Sequence, residues 1–552
     1  MLYSSILNNV KDQRHARHDS SIASYGTSNN LRITKESQES MHRSFLFEES
    51  ASESSVELDT SPMDIGVVPQ TPQITGSAPS PFVMSERGAT FDELVDRLLA
   101  QPASKADSKF SAIFLALYRK FAAPSRLLET IVERFDAFEN DGGAHMMKAV
   151  NQLRHLAILE QWVGQYPGDF AFPRTKQRMV AFIARIAQSR IFTVAANEIS
   201  SNLDLVLEDD DTNWCYSDKD RDANIENRTS TGSNSSTLVD HTSFSFMDQL
   251  SGTTLADDKS TSTTIGADTI KFSSGSSTTS SQIMLNTEAA QRAAQTLQPT
   301  PRHMLAKDQW RQLDEQPDDM VARELTRMDW IMFSSIRPRD LVRHVSSSEK
   351  AKCKNLVNVN RMIEHFNYIA SWVKNYVLFR DKPKHRALML EKLMRIARKL
   401  RELNNYNALG AIIAGIKSSC VQRLAATREL IPPNMGKDWA RLELLMGSTR
   451  SHAAYRLAWE NSSTERIPYL PLHLRDLASA QQGNATFVGD EKDGRVNWKK
   501  FEVMGEVVVS MQRAQGMPYR GLGGSRGEAH IKELVLDVKL KDEDVSSSLL
   551  DD

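Results

Sequence analysis

The residues of this 552-residue chain that could do covalent chemistry are present but never grouped for it. Cys215, Cys353 and Cys420 stand far apart, with neither a CxxC pair nor an even framework. That favours a reducing compartment and argues against a structural zinc site. The 13 histidines form no spaced cluster; His365 and His385 fall in helical context and read as core or surface residues rather than ligands. No HExxH, no GxSxG and no P-loop of the GxxxxGKS or GxxxxGKT kind occurs. The one Gly-rich stretch, GLGGSRG at 521–527, lacks the Lys-Ser/Thr pair and a preceding strand, so it reads as a surface loop. Glu208 to Asp211 read as a solvated charge run rather than a paired-carboxylate site. These residues imply no metal and no cofactor, and a protein that binds rather than an enzyme that makes or breaks bonds.

The totals point the same way. With 68 basic and 70 acidic residues the formal net charge is -2, so no global field recruits nucleic acid or an anionic membrane. Only 40% of residues are hydrophobic and the mean hydropathy is -0.43, as expected for globular parts diluted by polar ones. No apolar run approaches the ~18 residues that span a bilayer. AIFLALY and LGAIIAG are the size of buried core segments. The start lacks the apolar stretch of a secretory signal and neither end carries a lipidation pattern. A soluble cytoplasmic protein without an integral membrane segment is the expectation.

Four segments must position whatever binds. Residues 1–84 are rich in Ser, Glu, Gln and Pro and cannot bury enough apolar surface to offset their ordering entropy, so a disordered tail is expected. Its Ser-Pro and Thr-Pro pairs are open to phosphorylation. Residues 85–202 change texture: FDELVDRLLA places Phe91, Leu94, Leu98 and Leu99 on one helical face, with Thr90 as N-cap and Glu93 as its capping-box partner. FSAIFLALYRKF reads as a buried helix, and Pro124 suits a first helical turn. A compact unit of four or five helices is predicted. Residues 203–305 revert to Ser/Thr-rich low complexity and read as a disordered linker between two domains. From 306 to 552 helical periodicity returns. Leu390, Leu393, Ala397 and Leu400 form one stripe, and Lys392, Arg395, Arg398, Lys399 and Arg401 read as a solvated face rather than a phosphate-binding patch. The fold class is therefore mainly α.

Four blocks of the C-terminal region resemble the signature regions of the RasGEF catalytic domain. They are ELTRMDWIMFSSIRPRDLV (324–342), HFNYIASWVKNYVL (365–378, with Asn367 and Trp372), LRELNNYNALGAIIAGIKSSCVQRL (400–424), and IPYLPLHLRDLASAQQGNATF (467–487) followed by VNWKKFEVMGEVVVSMQRAQGMPY (496–519). The third is the most specific. Asn404, Asn405 and Asn407 are poor helix formers, and a chain has reason to carry them where side-chain amides satisfy buried backbone groups. FDELVDRLL, FLALYRKFAAPSRLLETIVERF and LEQWVGQYPGDF resemble, in order, the RasGEF N-terminal module.

The resemblance implies an N-terminal helical module and a larger all-helical catalytic domain with a protruding helical hairpin. It also implies a guanine-nucleotide exchange factor for a Ras-family small GTPase of Ras or Rap type, brought near membranes through that GTPase. In the family the hairpin is a wedge that pries one switch loop from the nucleotide, and a hydrophobic pocket grips the other. By resemblance the wedge runs from about Leu472 to Phe487 and includes Leu474, Ala478, Gln482, Gly483 and Asn484. The pocket includes Tyr469 and Leu445, while Lys417, Ser419, Ser448 and His452 lie where family members contact the GTPase. The N-terminal module would brace the hairpin.

The chain departs from the pattern in four places. Ala478 replaces a bulky apolar residue, Gln482 an acidic one, Cys420 a proline and Arg428 a tryptophan. These leave open a second reading, a catalytically weak GTPase-binding scaffold. A helical adaptor unrelated to GTPases would need both modules to match in order by coincidence.

Overall fold

Thr90 starts the first helix as its sequence requires. Its hydroxyl accepts from the Glu93 amide and the Glu93 carboxylate accepts from the Thr90 amide, which satisfies two otherwise orphaned donors. The computed structural model describes residues 87–100, 105–138, 145–204, 214–219, 221, 280–347, 356–489, 494–522 and 526–541. The expected disordered tail, 1–84, lies outside these residues.

The N-terminal module comprises α1 (Phe91–Leu99), α2 (Lys105–Leu117), α3 (Pro124–Ala137), α4 (His145–Gln165), α5 (Pro173–Ile186) and α6 (Thr193–Leu203). The last is one helix beyond the expected four or five; Ala196, Ile199 and Leu203 give it a buried face despite its Ser and Asn content. Then follow α7 (Ser280–Gln295), α8 (Lys307–Glu315), α9 (Asp318–Ser334), α10 (Pro338–Ser346), α11 (Val357–Leu378), α12 (Pro383–Glu402), α13 (Tyr406–Ile416), α14 (Pro433–Met446), α15 (Thr449–Asn461), α16 (Leu470–Gly483), α17 (Trp498–Gln515) and α18 (Arg526–Leu536). Two residue pairs, His303–Met304 and Val538–Lys539, form a short parallel ladder. The fold is mainly α, as the periodicity predicts.

The segment 203–305 is less of a linker than its composition suggests. Trp214 is buried, and its carbonyl accepts from Lys120 Nζ at 3.0 Å. Asp218 accepts from the Ser125 amide and the Thr175 hydroxyl. At the other end α7 packs on α9 and α4 through Ala290 and Ala294, with Leu297 buried just beyond. Low hydrophobicity hid these anchors, because one Trp and a few Ala suffice where a preformed surface receives them. The remainder of the segment falls outside the described residues.

The basic run on α12 also differs from expectation at one residue. Lys392 is buried: its ammonium donates to the carbonyls of Asp314 and Gln316 at the end of α8 and pairs with Asp318 at 2.8 Å. A cation there satisfies helix-end carbonyls. Arg395, Arg398 and Lys399 pair with neighbouring carboxylates, and Arg401 donates to Asn404 and stacks over Tyr406. The run is internal pairing, not a phosphate patch.

The module and the C-terminal helices share one continuous core. Phe110 packs on Trp498 with ring centroids 4.5 Å apart, and Phe121 on Phe501 at 5.1 Å. Gly505 lets α17 approach α2 so closely that a Cβ would meet Ile113 at 2.5 Å. Ahead of α1, Ala89 bridges to Val496, which also pairs with Phe487. A buried ion cluster completes the joint. Asp169 accepts from Arg339 (2.6 and 3.0 Å), Arg119 (3.2 Å), Tyr118 (2.6 Å) and Trp162 (2.8 Å), and Arg339 also donates to the carbonyls of Leu115 and Ala116. Burial alone would raise the Asp169 carboxyl, yet Arg339 and Arg119 outweigh it and hold it at about 2.

Candidate functional site

The three asparagines of the LNNYN run deliver the site. Asn404 takes a left-handed conformation (φ 52°), which asparagine tolerates better than most residues. Its amide donates to the Glu465 carbonyl at 3.3 Å. Its backbone carbonyl accepts from the Ile467 amide, whose own carbonyl accepts from Tyr406. Asn405 caps α13 by accepting from the Ala408 amide at 3.0 Å. Two of the three therefore satisfy backbone groups, as expected. Asn407 instead donates to the buried Asp329 carboxyl at 3.1 Å. Together they pin the strand-like Ile467 immediately before Tyr469 and α16.

Asp329 carries a price in stability. Burial pushes its carboxyl up to about 7, against the opposing pull of the Asn405 and Asn407 amides. His365 lies 3.7 Å away, but burial holds it down at about 4, so it is neutral at pH 7 and forms no ion pair. A raised folded pKa means that the cost of charging Asp329 appears as pH rises from about 4 to about 7 and is constant above, of order 4 kcal/mol. Asp329→Asn should therefore stabilise the protein, by roughly 2 kcal/mol more at pH 8 than at pH 5. Urea denaturation at both pH values measures this; an equal gain at both would show that the carboxyl is not the titrating group.

Tyr469 sits in an aromatic nest. Its ring lies 6.1 Å from Phe366, 6.2 Å from His452 and 6.0 Å from Tyr455. It remains half-buried, and burial raises its phenol to about 12. Gly410 on α13 forms the floor, where a Cβ would meet the Tyr469 ring at 2.8 Å. Gly410→Ala should thus lever the ring outward and cost ~1–3 kcal/mol of stability by overpacking, read as a lower melting temperature. A melting temperature equal to the wild type would mean the ring shifts freely.

Of the expected pocket residues, His452 is the one in contact with this nest. Leu445 is half-buried on α14; Lys417, exposed at the end of α13, pairs with Glu443 of α14 at 3.7 Å. Ser419 and Ser448 are exposed on the turns that follow α13 and precede α15. Cys420 is buried beside the Ser418 hydroxyl (3.4 Å), and Arg428 is exposed. Trp372, a signature residue, donates to the Leu534 carbonyl and supports α18, while Asn367 is half-buried on α11. The Gln and Tyr of the QGMPY end (515–519) are similarly structural: Gln515 donates to the carbonyls of Phe333 and Ile336, and Tyr519 to that of Leu403.

Helix α16, the expected wedge, pairs with α17 as a hairpin. Leu472, Leu474, Leu477 and Ala480 are buried and hold it down, so Leu474 is internal. Ala478 is half-buried, and Gln482, Gly483 and Asn484 are exposed at its end. Lys500 of α17, itself buried, donates to the carbonyls of Gln481 and Asn484 and to the Thr486 hydroxyl. That places a cation where the helix dipole is negative.

Sequence reading missed the residues that join α16 to the Tyr469 nest. The Tyr455 hydroxyl, fully buried, lies 2.7 Å from His473 Nε2 on α16 and accepts from the Tyr469 amide. Burial, with Arg456 and Arg466 nearby, holds His473 at about 3, so it is neutral and accepts from Tyr455. At the start of α15, Arg450, Ser451 and His452 are all left-handed, with φ of 49°, 56° and 63°. Three such non-glycine residues cost roughly 3–6 kcal/mol. Arg456 Nε donates to the Ser451 carbonyl at 2.9 Å, and its Nη2 lies 2.7 Å from Asp476 of α16. No sequence pattern marks a left-handed turn without glycine.

Among the described residues no helix is long and apolar enough to cross a membrane, and no group of three His, Cys, Asp or Glu residues is placed to hold a metal. A family model described as the RasGEF domain matches residues 320–502, and one described as the RasGEF N-terminal motif matches residues 85–185. Ras guanine nucleotide exchange factor A of Dictyostelium discoideum is 33% identical over 205 residues, 37% of this chain and 34% of that protein. Rap guanine nucleotide exchange factor 3 is 29% identical in Rattus norvegicus (39% of this chain, 23% of that protein) and 32% in Homo sapiens (33% and 20%). The chain thus covers about a third or less of these relatives' own lengths. With the RasGEF N-terminal motif ahead of the RasGEF domain, the chain belongs to the RasGEF family.

Proposed function

We propose that this protein promotes GDP release from a Ras-family small GTPase of Ras or Rap type, with α16 as the wedge and the Tyr469 nest as the pocket. A small GTPase holds its nucleotide through phosphate contacts and Mg²⁺. A partner accelerates release only by binding the open, nucleotide-depleted form better than the closed one. A 10⁵-fold effect needs ~7 kcal/mol of differential contact and no proton transfer. The observation that carries the reading is the pairing of a half-buried aromatic nest with an adjacent braced helix whose free end is exposed and small. Rigid bracing matters because a wedge that yields spends its contact energy on its own rearrangement.

Small residues at the tip favour a second reading. Ala478 and the neutral Gln482 offer little volume or charge to a Mg²⁺ or phosphate site, as a GTPase-binding scaffold would tolerate. One experiment separates the two. Ras-, Rap- and Ral-type GTPases loaded with fluorescent GDP are mixed with the full chain and excess GTP, and release is followed. Acceleration of one or more supports the exchange factor; stable binding to a nucleotide-free GTPase without acceleration supports the scaffold. Recruitment to the inner face of a membrane would come through the lipid-anchored GTPase.

A further inference from the structure

We propose that Arg456 is a positioning residue that couples the pocket to the wedge, a reading that rests on the exchange activity proposed above. One guanidinium holds two things at once. Its Nε takes the Ser451 carbonyl of the left-handed turn, and its Nη2 takes Asp476 two turns along α16. The turn sets His452 against Tyr469, and Tyr469 leads directly into α16. A switch loop seated on the nest therefore presses on a turn that is strained and that is tied, through a charged pair, to the helix that must displace the other switch. Because non-glycine residues resist positive φ, the turn keeps its shape only while Arg456 holds it. Tyr455 provides the fixed point, joining the Tyr469 amide to His473. The coupling thus has a pivot at Tyr455 and a strut at Arg456.

The test uses the full chain and a GTPase loaded with fluorescent GDP. Arg456→Ala should lower kcat about tenfold or more while KM changes little, since the pocket surface is intact but the wedge is misplaced. Ser451→Gly in that background should return the rate only as far as the Asp476→Asn level, because glycine holds a left-handed turn without help while the Asp476 pair stays lost. Asp476→Asn should lower kcat as well, and Ser451→Gly should not rescue it, because there the turn is already held and the wedge contact is what is missing. An Arg456→Ala variant with wild-type kcat overturns the proposal. So does a glycine that rescues neither variant, which removes the strained turn, or both, which removes the link to the wedge. Thermal melting keeps the test independent of exchange. Ser451→Gly should raise the melting temperature more in the wild type than beside Arg456→Ala, and equal gains overturn the holding role of Arg456. Should the wild-type chain accelerate no GTPase, the exchange reading fails while the melting comparison still decides the turn.

Discussion

Asp169→Ala should lower the melting temperature by on the order of 10 °C and loosen α16 with it. The substitution leaves two guanidiniums, Arg119 and Arg339, buried without their counter-ion, and strips the Tyr118 hydroxyl and Trp162 indole of their acceptor. Breaking a buried pair in this one-sided way costs ~3–5 kcal/mol. The effect reaches the site because Arg339 lies on α10, and α10 packs against both α16 and α17. Acid offers a second reading of the same contact. The carboxyl is held at about 2, below its unfolded value of about 4. Its stabilisation, of order 2–3 kcal/mol, is complete above pH ~4 and is lost as pH falls through about 2. The gap between wild type and Asp169→Ala should therefore narrow between pH 5 and pH 2. A variant melting within 2 °C (about half a kcal/mol) of the wild type would show that aromatic packing alone joins the modules.

Tyr469→Ala should reduce exchange at least ~30-fold in kcat/KM, the loss expected when a central aromatic anchor worth ~2 kcal/mol or more is removed from an interface. The ring is half-buried among Phe366, His452 and Tyr455. The fold should survive, since the Ile467 ladder, the Asn405 cap and the Tyr455 contact to the Tyr469 amide involve none of its side-chain atoms. Fluorescent GDP release measures the loss and circular dichroism checks the helices. Normal exchange by this variant would remove Tyr469 from the pocket. Tyr469→Phe should retain activity, because among the described residues no hydrogen bond of the phenol supports the ring's position, and a phenol is neutral at pH 7 in either case.

Some of this was written in the chain and some was not. The Thr90 capping box, Pro124 at a helix start and the Leu390 to Leu400 stripe are local matters of spacing, and each forms as its residues dictate. So does the role of the asparagines, whose poor helix propensity pointed to side-chain bonding. Lys392 and Lys500 look like surface lysines because charge normally seeks water. Each is buried only because an unrelated helix ends beside it with free carbonyls. The anchors Trp214 and Ala290 were hidden among polar residues for the same reason, since the surface that receives them is built elsewhere in the chain.

The sequence by itself determined that this is a mainly helical chain in which two recognisable modules are separated by a low-complexity stretch. Helical period, caps and motif spacing are short-range properties, and short-range energies suffice to express them. Tertiary structure alone decided how α16, the Tyr469 nest and the two modules are joined. The Asp169 cluster joins residues up to 224 positions apart, and Arg456 donates to a left-handed turn that local preference opposes. Such features depend on contacts whose partners are distant in the chain, where each is stable only because packing has already paid the entropy of bringing it there.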